Sequence, residues 1–152
     1  MHHQVILKKV KIKIIRGDEY LDFEIERKSI KIYHVEAEML DNNIGYIELF
    51  TFDEGCAKEL KQKYTELKNQ GAQKIILDLR NNTGGLVTEA LDILDLFLPK
   101  GETVLITVDA RGNQEVSKTK DSQYIKEDLV VLVNEYSASA SEIVAGALKD
   151  SK

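Results

Sequence analysis

The fold is decided by residues 74–86, which read KIILDLRNNTGGL. Residues 74–79 form a short apolar run with the length and composition of a strand. A polar stretch follows and ends in Gly84 and Gly85, after which apolar residues recur at helical spacing as far as Pro99. The pattern therefore predicts a strand that leaves a core, turns at two glycines and enters a helix.

Strands and helices alternate on both sides of this segment. The apolar run at 129–133 is typical of a strand that is covered on both faces, and the polar residues 110–127 suggest a hairpin excursion. Strands that alternate with crossover helices predict an α/β fold built on a parallel sheet. The expected strands are 44–50, 74–79, 104–108 and 129–133, and the expected helices are 57–67, 87–98 and 139–148.

The first forty residues predict a small antiparallel β region instead. Apolar residues alternate with lysines over residues 9–14 and with acidic residues over 21–26, which is typical of strands with one buried face. Gly17 permits a tight turn between the two strands. A third strand is expected from about Ser29 to Leu40.

Composition limits the class of protein. The chain has 152 residues, enough for one globular core, and a net charge of -5, which argues against a nucleic-acid partner. No run of 18 or more apolar residues occurs, so we expect no membrane segment. The single cysteine, Cys56, excludes an internal disulfide, and we expect neither a metal nor a cofactor.

Ligands of open α/β sheets bind outside the carboxyl ends of the strands. At the first such end, Gly84 and Gly85 would let main-chain N–H groups approach an oxyanion or a phosphate, helped by the N-terminus of the next helix. The stretch has neither the Walker nor the GxGxxG spacing. A tight turn without a ligand explains it equally well.

The second strand end carries the serines of SASASE, residues 137–142. Ser139 and Glu142 have capping-box spacing and could simply start the last helix. Alternatively, Ser139 is a nucleophile on a sharp turn, with the N–H of Ala140 beside it to bind an oxyanion.

A serine nucleophile needs a base, and the chain offers no obvious one. His2 and His3 lie in the N-terminal tail, and we do not expect His34 to reach the serine. Lys149 and Lys152 would lie about 15–20 Å along the last helix from Ser139.

The two strand ends together resemble the core of the C-terminal processing, or tail-specific, peptidases. Residues 78–86 and 133–143 carry the resemblance, with Ile44-Gly45-Tyr46-Ile47 and Phe97-Leu98-Pro99 at matching spacing. It covers residues 29–152. The resemblance implies a fold similar to ClpP and crotonase, with Ser139 as nucleophile. It also implies an oxyanion hole formed by the N–H groups of Ala140 and of one residue of the Gly84–Gly85 pair.

The resemblance also implies a serine–lysine dyad. The family's lysine lies in a Phe-Gly-Lys-Gly motif that would come after Lys152, so we expect a truncated core that is inactive alone. Family members usually have proline at the position of Thr83, and they carry a PDZ domain. We interpret residues 1–28 as the end of that domain with connecting strands, and residues 29–152 as a partial catalytic core.

The expected partner is a polypeptide with an unstructured C-terminus, and self-association through an exposed sheet edge is a further expectation. The parent protein is expected outside the bacterial cytoplasm, tethered, periplasmic or secreted. Two alternatives stay open: a ligand-binding module of the same fold without proteolysis, and a crotonase-like acyl-CoA enzyme. The second would not explain a serine at this turn.

Overall fold

The computed structural model describes residues 9–28 and 33–151, and the chain divides into two compact units between residues 32 and 33. The first unit contains an antiparallel hairpin of β1 (Lys9–Arg16) and β2 (Glu19–Glu26). Gly17 turns the chain between them with a φ of 63°. Both strands are where the alternation predicts them.

The hairpin does not bury its apolar face as predicted. Cross-strand ion pairs such as Lys9–Glu24 line one face, but Phe23 and Ile25 on the other are 44% and 50% exposed. A two-stranded ribbon has no second layer of its own to cover such a face, which explains the difference.

The second unit contains the remaining elements. Residues 29–32 of the predicted third strand lie outside the described residues, and the strand that is described begins at Val35. In chain order the elements are β3 (Val35–Leu40), a 3₁₀ turn (Asp41–Asn43), β4 (Ile44–Leu49), α1 (Cys56–Asn69), β5 (Lys74–Asp78), α2 (Val87–Phe97), β6 (Thr103–Val108), β7 (Gln114–Lys118), β8 (Asp128–Leu132) and α3 (Ala140–Asp150).

Four strands form the main sheet in the order β3-β4-β5-β8. β4, β5 and β8 are parallel, and β3 is antiparallel to β4. The predicted α/β class with a parallel sheet and crossover helices is confirmed, with one antiparallel strand at the edge of the sheet.

The core lies between one face of this sheet and the helices. Its largest fully buried side chains come from the strands, from both crossover helices and from α3, and they include Ile47, Leu77, Leu60, Leu94 and Val144. This packing holds the carboxyl ends of β4, β5 and β8 at one end of the sheet, because parallel strands run in the same direction.

Two sequence-based expectations about the sheet are wrong. β6 leaves the main sheet and pairs with β7 as a separate hairpin. β8 is not covered on both faces: Val130 is 54% exposed, and within the described residues the strand pairs only with β5. An apolar run predicts that a strand forms. Which strands lie beside it depends on the crossover connections.

No α-helix within residues 9–28 and 33–151 combines the length and apolarity needed to cross a lipid bilayer.

Candidate active site

The ends of β5 and β8 lie side by side and deliver two polar segments to one place. Asp78 is opposite Leu132 in the parallel register, and the N–H of Leu79 donates to the carbonyl of Leu132 at 2.9 Å. Here we call residues 79–86 the glycine loop and residues 133–139 the serine loop.

The main chain of Phe52 clamps the glycine loop. Its N–H donates to the Gly84 carbonyl at 3.1 Å, and its carbonyl accepts from the N–H of Leu86 at 2.8 Å. A Cβ at Gly85 would lie 2.6 Å from the Phe52 carbonyl oxygen. Gly85 has a φ of 149° and Gly84 one of 102°. Glycine is therefore required by both the close approach and the backbone conformation.

Two of the three serines bond to the glycine loop, Ser137 from the serine loop and Ser141 from the first turn of α3. The Ser137 hydroxyl donates to the carbonyl of Leu79 at 2.7 Å, and the buried Ser141 hydroxyl donates to the carbonyl of Asn82 at 2.8 Å. The N–H of Ala138 also donates to the Asn82 carbonyl, at 3.2 Å. These two serines have structural partners, whereas Ser139 is exposed.

Ser139 occupies a strained backbone conformation, with φ 55° and ψ -115°. Serine avoids positive φ unless the surrounding structure imposes it, and such outliers cluster at functional sites. Hydrolases that present a nucleophilic serine on a sharp strand-to-helix turn hold it in a strained turn of this kind.

The capping interpretation is correct as well, and it does not exclude a chemical role. The Ser139 N–H donates to the Glu142 carboxylate at 2.7 Å, and α3 begins at the next residue, Ala140. Glu142 therefore fixes the start of the helix behind the exposed serine.

The glycine loop touches the serine loop at its turn. A Cβ at Gly84 would lie 2.8 Å from Ser139 Cβ and 3.0 Å from Ala140 N. Of the two glycines predicted to converge on Ser139, Gly84 is thus in contact with the serine turn, and Gly85 lies against Phe52.

The two glycine amides differ in their partners. The N–H of Gly84 donates to Asn82 Oδ1 at 2.9 Å. Within the described part of the chain, the N–H groups of Gly85 and Ala140 have no protein acceptor. Gly85 is exposed, so its donor is open to a ligand, whereas Ala140 is fully buried in this structure.

His34 is not free to act as a base for Ser139. Its Nδ1 lies 2.9 Å from Glu59 Oε2 and its main-chain N–H donates to the same oxygen, so the side chain is engaged with α1. Lys149 lies in the last turn of α3, about 15 Å along the helix from Ser139. Residue 152 lies outside the described residues.

A buried charge cluster holds the end of β5. The carboxylate of Asp78, only 2% exposed, accepts from Arg80 Nη2 and from the Tyr46 hydroxyl, both at 2.6 Å. Burial raises the pKa of Asp78, but the hydrogen bonds from Arg80 and Tyr46 outweigh that effect and lower it overall. Asp78 is thus an ionised, paired anchor for the glycine loop.

Sequence reasoning missed Tyr46, Asp78 and Asn82 as organising residues. Asn82 is 1% exposed and bonds to both loops. Its position in the polar stretch after a strand was visible, but nothing in the sequence separated it from the exposed Asn81.

No group of three or more His, Cys, Asp or Glu side chains within residues 9–28 and 33–151 is arranged to hold a metal ion. Cys56 is buried, as expected for a packing residue, and its thiol contacts Glu89 at 3.5 Å.

An exposed serine on a strained turn between a strand and a helix, in contact with a glycine loop, is typical of serine hydrolases. The comparison with known families agrees, since the model of peptidase family S41 matches residues 43–152. The chain belongs to this peptidase family.

Within this family, the chain is similar to proteases named for carboxy-terminal processing. The chain is 41% identical over 144 residues to the carboxy-terminal processing protease CtpA of Bacillus subtilis, covering 94% of this chain and 31% of that protein. It is 41% identical over 135 residues to the carboxyl-terminal-processing protease of Synechocystis, covering 86% of this chain and 31% of the relative.

Among solved structures, the photosystem II D1 C-terminal processing protease superposes with a TM-score of 0.69 at 30% identity, covering 94% of this chain and 41% of that one. The chain thus spans about a third of the length of the curated relatives it matches.

Proposed function

We propose that this chain carries the serine and oxyanion half of an endopeptidase that cuts polypeptides near their C-termini through an acyl-enzyme. The observation that carries the proposal is the exposed Ser139, held at φ 55° against Gly84 and followed by Ala140, whose N–H has no acceptor among the described residues. The names of the relatives, which describe carboxy-terminal processing, support the substrate preference.

In the proposed reaction the Ser139 Oγ attacks the scissile carbonyl carbon and its proton passes to a base. The carbonyl oxygen becomes an oxyanion, which the N–H groups of Ala140 and Gly85 stabilise. Of the two glycines, Gly85 is favoured because the Gly84 N–H already donates to Asn82. The C–N bond then breaks, the amine leaves with the proton, and water later hydrolyses the acyl-enzyme.

The base is proposed to be a lysine supplied by sequence beyond these 152 residues, as the family resemblance implies. Lysine acts as a base only where burial or neighbouring charge lowers its pKa. Neither His34 nor Lys149 is positioned for this task. We therefore propose that residues 1–152 by themselves do not turn over peptides.

The test compares this chain with the full-length protein encoded by its gene on a fluorogenic peptide that has an unstructured, apolar C-terminus. We expect hydrolysis by the full-length protein, loss of that hydrolysis in its Ser139→Ala variant, and none by residues 1–152. Full activity of the full-length Ser139→Ala variant would refute the role of Ser139. Ser139-dependent turnover by the short chain would instead refute the missing base.

The remaining parts of the proposal concern the context of this core. We propose that residues 1–28 are the end of a PDZ domain with its connecting strands, in line with the division of the chain near residue 32. We also propose that the parent protein works outside the bacterial cytoplasm. Cell fractionation with an antibody to this chain tests the location, and a purely cytoplasmic signal would contradict it.

A further inference from the structure

Asn82 is the buried junction of the glycine loop, the serine loop and β4. Its Nδ2 donates to the carbonyl of Leu49 at 2.7 Å, and its Oδ1 accepts from the N–H of Gly84 at 2.9 Å. Its main-chain carbonyl accepts from the Ser141 hydroxyl and from the N–H of Ala138. One residue thus bonds to the end of β4, the glycine loop, the serine loop and the start of α3.

We propose that Asn82 is a positioning residue of the oxyanion hole, and this inference rests on the proposed function. Its side chain takes the Gly84 N–H out of use, so that Gly85 and Ala140 remain the donors. Its main-chain carbonyl holds the serine loop in the position that places Ala140 beside Gly84.

The side-chain chemistry explains why asparagine suits this position. The site needs one donor, toward the Leu49 carbonyl, and one acceptor, toward the Gly84 N–H. An amide supplies both, a carboxylate supplies only acceptors, and an alkyl side chain supplies neither. Since the residue is buried, any unmet partner stays unpaired and favours movement of the loop.

This reasoning predicts an unusual pH dependence for Asn82→Asp. Burial and the facing Leu49 carbonyl should raise the pKa of the new carboxyl group. Below that pKa its O–H donates to Leu49 and the wild-type pattern returns. Above it the carboxylate faces the carbonyl oxygen, and the glycine loop shifts.

The readout is binding of a peptide boronic acid with an apolar residue at the boron, measured on residues 1–152 by calorimetry. The addition forms an Oγ–B bond to Ser139 and releases the hydroxyl proton to solvent, so it needs no general base. The tetrahedral adduct places a boron-bound oxygen where the oxyanion would lie. Affinity therefore reports the geometry of the hole separately from turnover.

We expect Asn82→Asp to bind the boronic acid roughly tenfold or more weakly than wild type at high pH, and almost equally at low pH. The matched control is Asn81→Asp. Within residues 9–28 and 33–151 the Asn81 side chain only accepts from Asn134 Nδ2, a role that aspartate keeps, so the ratio of its affinity to that of wild type should stay near one at every pH. A flat ratio for Asn82→Asp, or equal changes in both variants, would overturn the inference.

A measurement on the unmutated chain keeps the inference testable if a variant fails to fold. In amide hydrogen exchange by NMR, the Gly84 N–H should be protected, while that of the exposed Gly85 exchanges fast. When the adduct forms, the N–H resonances of Gly85 and Ala140 should move downfield, and that of Gly84 should not move. A shifted Gly84 and an unmoved Gly85 would reject the role of Asn82.

The outcomes separate the two proposals. If wild type binds no boronic acid and full-length protein does not need Ser139, the proposed function fails. If wild type binds the boronic acid and the full-length protein needs Ser139, but Asn82→Asp behaves like Asn81→Asp, only the positioning role of Asn82 fails.

Discussion

Replacing Gly84 with alanine should destabilise the second unit through two separable effects. The first is conformational, because a φ of 102° is disfavoured for any residue with a Cβ and costs about 1–2 kcal/mol. The second is steric, since the new Cβ would lie 2.7 Å from the Ala138 carbonyl oxygen and 2.8 Å from Ser139 Cβ. Overpacking against atoms that cannot rotate away costs about 1–3 kcal/mol more.

Gly71 provides a matched control within the same chain. Its φ of 100° is nearly that of Gly84, but a Cβ there would have no heavy atom within 4 Å. Gly71→Ala should therefore show the conformational cost alone, about 1–2 kcal/mol. The difference between the two variants isolates the contact between the glycine and serine loops.

Urea unfolding followed by far-ultraviolet circular dichroism measures both free energies, provided that the slopes with denaturant agree. We expect Gly84→Ala to be less stable than Gly71→Ala by about 1–3 kcal/mol. Equal losses would mean that the close approach of Gly84 to Ser139 is absent in solution. The convergence on which the proposed function depends would then be wrong.

Three other variants or measurements test the same region. Ser139→Gly should raise the free energy of unfolding by about 1 kcal/mol, because glycine accepts positive φ and loses little as an N-cap; a lower midpoint in urea would contradict the strain. Ser141→Ala should lower that free energy by about 0.5–1.5 kcal/mol, because the buried carbonyl of Asn82 loses one donor and keeps the N–H of Ala138; an unchanged midpoint would show that the bond is dispensable. The lowered pKa of Asp78 means that its stabilising effect is present above its ordinary value of 3.8 and is lost as the pH falls through the folded-state pKa. Asp78→Asn should therefore give a flatter stability profile under acid, and an unaltered profile would count against the pairing with Arg80.

The thiol of Cys56 supplies an independent probe of opening. Burial and the nearby Glu89 raise its pKa to about 12, so little thiolate forms near neutral pH. A thiol-specific disulfide reagent should react with it only as fast as the chain opens, and faster in Gly84→Ala than in wild type. Rapid labelling of the native chain would show that the site is accessible.

Periodicity alone predicted nearly every described element of the second unit. The apolar positions of α1 and α2 and the stops at Gly71 and Pro99 are local signals that tertiary packing did not override. The same signals failed for β6 and β8, because they carry no information on which strand lies beside which. Exposure of Val130 follows from the order of the strands rather than from the residues within one strand.

The candidate site was predictable in its residue types but not in its geometry. The sequence pointed to Ser139, Ala140 and the Gly84–Gly85 pair, and the structure places Gly84 against Ser139 and Ala140, with Gly85 against Phe52. It could not show which glycine amide is already occupied, since that depends on the rotamer of Asn82. Nor could it show that Ser139 is strained, because positive φ at a serine arises from the clamped loops around it.

The donors assigned to Gly85 and Ala140 belong to the polypeptide backbone, and this limits how mutation can silence the site. Every amino acid except proline brings the same N–H, so an exchange of side chain at position 140 leaves the donor itself in place. Loss of these donors by mutation should therefore arise at residues that set the path of the chain. In inactive homologues of this domain, we expect the turns of the glycine and serine loops to change while the main-chain N–H donors are still present.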